Sequence, residues 1–168
     1  MTISMYSASV PMINQLLGAL SANLDKAAAF AEAKKVDPSV LVNDRLAPDM
    51  FPLSRQVQIA TDMAKGGIAR LAGVEIPAYE DNEKTIDELK ARIAKTLAFI
   101  ATIPASAIDG SEEKTIVLKM RAGEMSFTGL KYLIGWVIPN MTFHCTTTYN
   151  ILRHNGVDIG KKDFLGGI

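Results

Sequence analysis

At 168 residues the chain falls within the size range of one domain, long enough to bury a core without metals or disulfides, and a single domain over 1–168 is expected. Lys plus Arg and Asp plus Glu stand at 18 each, so no net field draws the protein to nucleic acid or to an anionic membrane. The lone cysteine, Cys145, rules out an intramolecular disulfide and a multi-cysteine zinc site, and points to a reducing cytoplasm.

Residues 1–24 carry no charged side chain, but no basic segment opens them and Ser, Asn and Gln interrupt the apolar positions, so they read as mature protein rather than as a signal peptide. From Pro11 onward, Ile13, Leu16, Leu17, Leu20, Leu24, Ala27, Ala28 and Ala31 recur at helical spacing, which predicts a first helix over 8–34 ending at Lys34 and Lys35. Val36-Asp37-Pro38-Ser39 breaks that pattern, and a helical turn is expected around Val40 to Asn43. Asp49 as a cap and Pro52 in the first turn start a second helix, 51–72, with the stripe Leu53, Val57, Ala60, Ala64 and Leu71 and an exit at Gly73 and Pro77.

Thr85-Ile86-Asp87-Glu88 has the capping-box spacing and opens a third helix, 83–102, on Ile86, Leu89, Ile93, Leu97 and Ile100. Between 114 and 128 the period drops to two, predicting a small hairpin in which Gly123 supplies the left-handed residue of a turn at Ala122-Gly123. A last helix follows over 130–155, perturbed by Pro139 and stopped at Gly156, and the tail can dock through Ile159, Phe164 and Leu165. The most apolar window, Leu130 to Phe143, is interrupted by Lys131, Pro139 and Asn140, and falls short of the roughly 18 apolar residues of a membrane span.

Helical wheels single out polar groups on faces that should be apolar. In helix two Gln56 falls among Leu53, Ile59, Ala60 and Met63, while Arg55, Gln58 and Asp62 point away. In the last helix the apolar arc of Val137, Met141, Cys145 and Leu152 also takes in His144 and Thr148, with Asn140 at its edge. Buried polar groups need partners, so Gln56, His144 and Thr148 either hydrogen-bond one another or line a wetted cavity.

Other chemistries find little support. His144 and His154 lie ten residues apart, about 15 Å along a helix, too far to share a metal. Cys145 and His144 are helix neighbours pointing about 100° apart, so a Cys–His nucleophile is not formed and the thiol reads as a small hydrophobe. His154, beside Arg153, suits the carbonyl end of its helix and can tether the tail. Gly66-Gly67 lies inside helix two, where small residues permit close packing, and Lys161-Lys162 is too short a basic run for nucleic acid.

The segments Arg45-Leu46-Ala47-Pro48-Asp49-Met50-Phe51-Pro52, Pro139-Asn140 through Phe143-His144, Leu152-Arg153-His154-Asn155-Gly156 and Gly160-Lys161-Lys162-Asp163-Phe164-Leu165-Gly166 resemble a branch of unknown function within the DinB-like (DinB/YfiT) helical-bundle superfamily. That resemblance, which spans essentially the whole chain, implies an all-α fold: a four-helix bundle of up-down-down-up type with a long crossover between helices two and three, here with the small hairpin before the last helix. It implies frequent dimers, a divalent metal held by three histidines in many members, and thiol-dependent transferase or hydrolase activity in some. By element order Gln56, His144 and Thr148 fall near the three ligand positions, so His144 alone is retained. The expectation is an uncharacterised DinB-like protein binding a small molecule between helix two and the last helix, at Gln56, His144, Thr148 and Asn140, with a degenerate metal triad and no cofactor. Two alternatives stand beside it: a homodimeric interaction module without catalysis, and a hydrolase or thiol transferase dependent on zinc or nickel. A homodimer is also favoured by an apolar content of 48% and eight methionines.

Overall fold

The computed structural model describes residues 3–120 and 123–167. The first long helix, α1 (Val10–Lys34), buries the predicted stripe of Ile13, Leu16, Leu17, Leu20, Leu24, Ala27 and Ala31, with Pro11 in its first turn, where its missing N–H costs nothing. It ends as Lys35 enters the left-handed region at φ 56°. The expected turn near 40–43 is a short helix, α2 (Pro38–Asn43), whose first turn is capped by the Asp37 carboxylate accepting from the Ser39 amide at 2.8 Å.

The second long helix, α3 (Leu53–Ala72), begins one residue after Pro52, and the expected Asp49 cap is not formed. Pro52 is itself the flanking residue, extended at ψ 164°, and its carbonyl accepts the first helical amide, that of Gln56. Gly73 closes the helix at φ 72°. After a crossover over 74–85, α4 (Ile86–Ala101) opens on the predicted capping box: Glu88 N–H donates to Thr85 Oγ1 at 3.2 Å, and Thr85 N–H to Glu88 Oε2 at 3.0 Å. A single turn, α5 (Ala105–Ile108), leads to the hairpin of β1 (Thr115–Met120) and β2 (Gly123–Thr128).

The two strands pair antiparallel with Ile116 opposite Phe127 and Leu118 opposite Met125, and Ile116 and Leu118 face the core. Of the predicted turn, Ala122 lies outside the described residues; Gly123 has φ 132° and stands as the first residue of β2 rather than inside the turn.

The predicted last helix is divided into α6 (Gly129–Tyr132), a π-helical segment over Leu133–Val137, and α7 (Ile138–His154). Gly129 is required where the hairpin meets it: a Cβ there would lie 1.9 Å from the Ser111 carbonyl oxygen. Pro139 sits in the first turn of α7, so the disturbance falls on the turn before the proline. Gly156, at φ 92°, follows the helix end as expected.

The long helices close a ring in which α3 packs on α7 and α4, and α1 packs on α4 and α7. One continuous core of Leu, Ile, Val and Ala fills it. The close approach expected of Gly66-Gly67 is made by Gly67, where a Cβ would stand 2.6 Å from Val137 Cγ1; at Gly66 it would meet the Arg70 guanidinium at 2.7 Å. In the tail, Ile159 is buried and Phe164 stacks edge-on to Tyr149 before and within α8 (Lys161–Phe164). Leu165 departs from its expected role: its side chain is exposed, and its carbonyl accepts from Gln15 Nε2 at 2.9 Å.

Candidate functional site

Gln56 lies one turn into α3 and is 1% exposed, so both ends of its amide need partners. Its Nε2 donates to the Phe51 carbonyl at 3.0 Å, and its Oε1 lies 2.6 Å from His144 Nδ1 on α7. These two contacts fix each other. A backbone carbonyl can only accept, so the amide NH2 must face Phe51; the oxygen then faces the ring, and Nδ1 must carry the proton. In the neutral imidazole this leaves Nε2 with a bare lone pair. Burial, with the positive charge of Arg55 nearby, holds His144 below the ordinary histidine value of 6.5, which keeps the ring neutral at pH 7. Phe143, largely exposed, stands edge-on to the ring with centroids 5.2 Å apart.

The other two predicted residues do not join this pair through their side chains. Thr148 is fully buried, but its hydroxyl donates to the His144 carbonyl one turn back, at 3.0 Å. Asn140 likewise turns its Nδ2 to the Trp136 carbonyl at 2.7 Å. The donor set therefore does not suit a metal of the superfamily's type: one imidazole, an amide oxygen already accepting from it, and a hydroxyl committed to the backbone. Among the described residues no three His, Cys, Asp or Glu side chains gather as a metal-binding group. Cys145 is buried, and burial pushes its thiol up to about 12, so it is no nucleophile for His144 to activate.

His154 stands in the last turn of α7 as expected, but its side chain reaches Asp44 rather than the tail. Its Nε2 lies 3.1 Å from Asp44 Oδ2, which also accepts from Asn155 Nδ2 at 2.6 Å, so the end of α7 is tied to the segment between α2 and α3.

A second polar centre was missed by the wheel. Gln58, placed on the outward face of helix two, is buried, as are Thr61 and Lys65, because the 74–85 crossover and α4 cover that face. Arg92 of α4 organises it. Its Nε donates to Thr61 Oγ1 at 2.8 Å, Nη1 to Glu83 Oε1 at 2.9 Å and the Glu80 carbonyl at 3.0 Å, and Nη2 to Asp62 Oδ1 at 2.8 Å, with Asp81 Oδ1 at 3.1 Å. Gln58 Nε2 donates to the other Glu83 oxygen at 2.9 Å, Arg55 pairs with Asp81, and Lys65 joins Asp62 at 3.0 Å. The Lys65 ammonium also stands 3.5 Å from the Tyr79 ring centroid. Every arm of the guanidinium is engaged, so the centre fastens the crossover to α3 and α4. Burial works against its charge, but the Glu83 hydrogen bond and the charges of Asp62, Glu83 and Asp81 outweigh that and hold Arg92 firmly protonated. A sequence signal existed in the spacing of Arg55, Gln58, Asp62 and Lys65 on one side of α3, opposite a lone arginine inside the apolar run of α4.

The helical ring, the single hairpin before the last helix, and one histidine facing across from the second long helix define a DinB-like helical protein. The chain belongs to the family described as a domain of unknown function (DUF1993), whose model matches residues 5–165. It is also similar to a solved structure, the crystal structure of a DinB family member protein from Shewanella denitrificans: 45% identity, 97% of this chain and 92% of that chain covered, and a TM-score of 0.89. No functionally curated protein matches.

Proposed function

We propose that this protein is a small-molecule-binding member of the DinB-like group, in which His144 reads a hydrogen-bond donor on its ligand where many relatives of the superfamily hold a metal. The observation that carries this reading is the clamp of Gln56 between the Phe51 carbonyl and His144 Nδ1. A clamped tautomer is what a site needs to present one defined acceptor, Nε2, to a ligand N–H or O–H. The underlying scaffold is read as an up-down-down-up four-helix bundle. Three registers support it: Tyr6 with Asp109 and Asp25 with Lys90 set α1 against α4, Gln58 with Glu83 and Asp62 with Arg92 set α4 alongside α3, and Gln56 with His144 and Gly67 near Val137 set α7 against α3.

The test is nitrogen-15 NMR of the imidazole at neutral pH, coupled to a fragment screen. A protonated Nδ1 and an unprotonated Nε2 that shifts on ligand addition are expected, and a protonated Nε2 would remove the basis of the reading. His144→Ala should abolish the fragment binding while costing no more than about 1 kcal/mol, since water can reach the abandoned amide of a wetted site. Stoichiometric zinc or nickel, lost in His144→Ala, would instead favour the metal-dependent alternative.

A second reading, the homodimer, draws on the exposed apolar side chains Leu130, Ile134 and Phe143 along the last helical column.

A further inference from the structure

Apart from the His144 site, Arg70 is, among the described residues, the guanidinium that is partly buried and yet lacks a carboxylate partner. Arg70, in the last turn of α3 and partly buried, folds back over its own helix: Nη1 donates to the Gly66 carbonyl at 3.0 Å and to the Tyr132 hydroxyl at 3.2 Å. Only glycine at 66 permits this, since a Cβ there would stand 2.7 Å from Nη1. Among the described residues no carboxylate pairs with Arg70, and its Nε and Nη2 make no hydrogen bond to protein. That leaves the edge of the fork that matches a carboxylate bidentately.

The same arginine lines a cavity of about 140 Å³ between α3, the hairpin and the π-helical segment. Its apolar wall is Met63, Leu118, Met120 and Trp136. Trp136 lies within the π-helical segment, the kind of local widening that recurs at functional sites, and is steadied by Phe127 at 5.9 Å between centroids. Asp62 also borders the cavity, but its charge is answered by Arg92 at 2.8 Å and Lys65 at 3.0 Å. Arg70 and Lys119 then leave the lining with a positive balance. The volume is close to that of apolar cavities that accept a benzene ring, roughly 150 Å³.

We infer that this cavity binds a small carboxylic acid with an apolar body about the size of one aromatic ring, its carboxylate on the free edge of Arg70 and its body against Trp136 and the two methionines. The site is separate from His144, which lies eight residues beyond Trp136, roughly 12 Å along the helix. The proposal therefore stands or falls independently of the reading above.

Trp136 is the only tryptophan of the chain, so its emission reports on this cavity alone. Titrating the full chain with phenylacetate should give a saturable change in that emission, and phenylacetamide, the uncharged counterpart, should bind at least about tenfold more weakly because it cannot form the paired charged contact. Arg70→Met should abolish the saturable response while circular dichroism shows the helices intact. If that variant does not fold, the contrast of acid and amide on the parent chain decides, together with Met63→Phe, which fills the cavity without touching the guanidinium and should also abolish the response. No saturation at millimolar phenylacetate, equal response to the amide, or an unchanged response in folded Arg70→Met would overturn the inference.

Discussion

Two polar centres in this protein answer to opposite logic. Arg92, its side chain 2% exposed, has every donor satisfied and three carboxylates around it, whereas the Gln56–His144 pair leaves one ring nitrogen unused. Replacing Arg92 by Leu leaves Asp62, Asp81 and Glu83 crowded together with only Lys65, Arg55 and Gln58 to hold them, and the loss should be large, roughly 2–4 kcal/mol once the partial exposure of the acids is allowed for. Urea denaturation of Arg92→Leu checks it, and a change under 1 kcal/mol would mean, by the usual scale of surface pairs, that the network is not closed in solution. His144 gives a different signature. Its pKa is depressed in the folded state, so above about 6.5 both folded and unfolded chains hold it neutral and it contributes nothing. As the pH falls below that value the unfolded chain takes up a proton that the folded one resists, and stability declines until the depressed value is passed. Denaturation between about pH 7.5 and pH 5 should therefore show a slope that His144→Asn reduces; identical slopes would place the ring in water. Cys145 should stay inert to alkylation in the native protein and react only on unfolding, as expected for a buried thiol at about 12.

At the scale of elements, two helical glycines predict changes of opposite sign. Gly18 in α1 has open space where a Cβ would go, so Gly18→Ala should stabilise by about 0.5–1 kcal/mol through helix propensity alone. Gly67→Ala gains the same propensity but drives a methyl into Val137, and overpacking of about 1–3 kcal/mol should win. Thermal melts of both, and of Gly67→Ala combined with Val137→Ala, test this: the double variant should recover part of the loss, and simple additivity would count against the contact. Which elements the sequence revealed follows from where their causes lie. The capping box of α4 and the stripe of α1 are local, written within a few residues, and both were legible. The buried polar side of α3 was not, because a wheel sees one helix and the cover comes from residues 74–85 and Arg92, which lie outside it. Gln56 and His144 were legible because each broke an apolar face, but Thr148 and Asn140 broke theirs equally and turned out to serve their own backbone. The π-helical segment lies between these cases. Pro139 offers no N–H to the Gly135 carbonyl and its ring crowds that oxygen, and the helix widens in the turn just before it, where the Ile138 N–H donates to the Leu133 carbonyl five residues back. The cause was visible in the sequence, but its position one turn earlier was not.

For the whole molecule, the four long helices enclose an apolar core, and the polar centres sit at two seams: Arg92 where α3 meets α4, and His144 where α3 meets α7. The outside of the last helical column gathers three of the exposed large apolar side chains. Ile134 and Phe143 are each more than half exposed, Leu130 is 41% exposed, and Gly135 and Pro139 beside them add no charge. Exposed apolar residues one at a time are ordinary, but three along one column, with Lys131 the one charge among residues 130–143, suit a surface that meets its own copy about a two-fold axis with little like-charge repulsion. Light scattering at micromolar concentration should then return about twice the 18.2 kDa of the chain, and Ile134→Lys combined with Phe143→Lys should reduce it to the single-chain mass while helical content holds. Both substitutions stand on exposed positions, so a loss of dimer without loss of fold isolates the surface. A parent mass of 18.2 kDa would leave those side chains without a self-partner, and a variant that stayed dimeric would move the interface to another face.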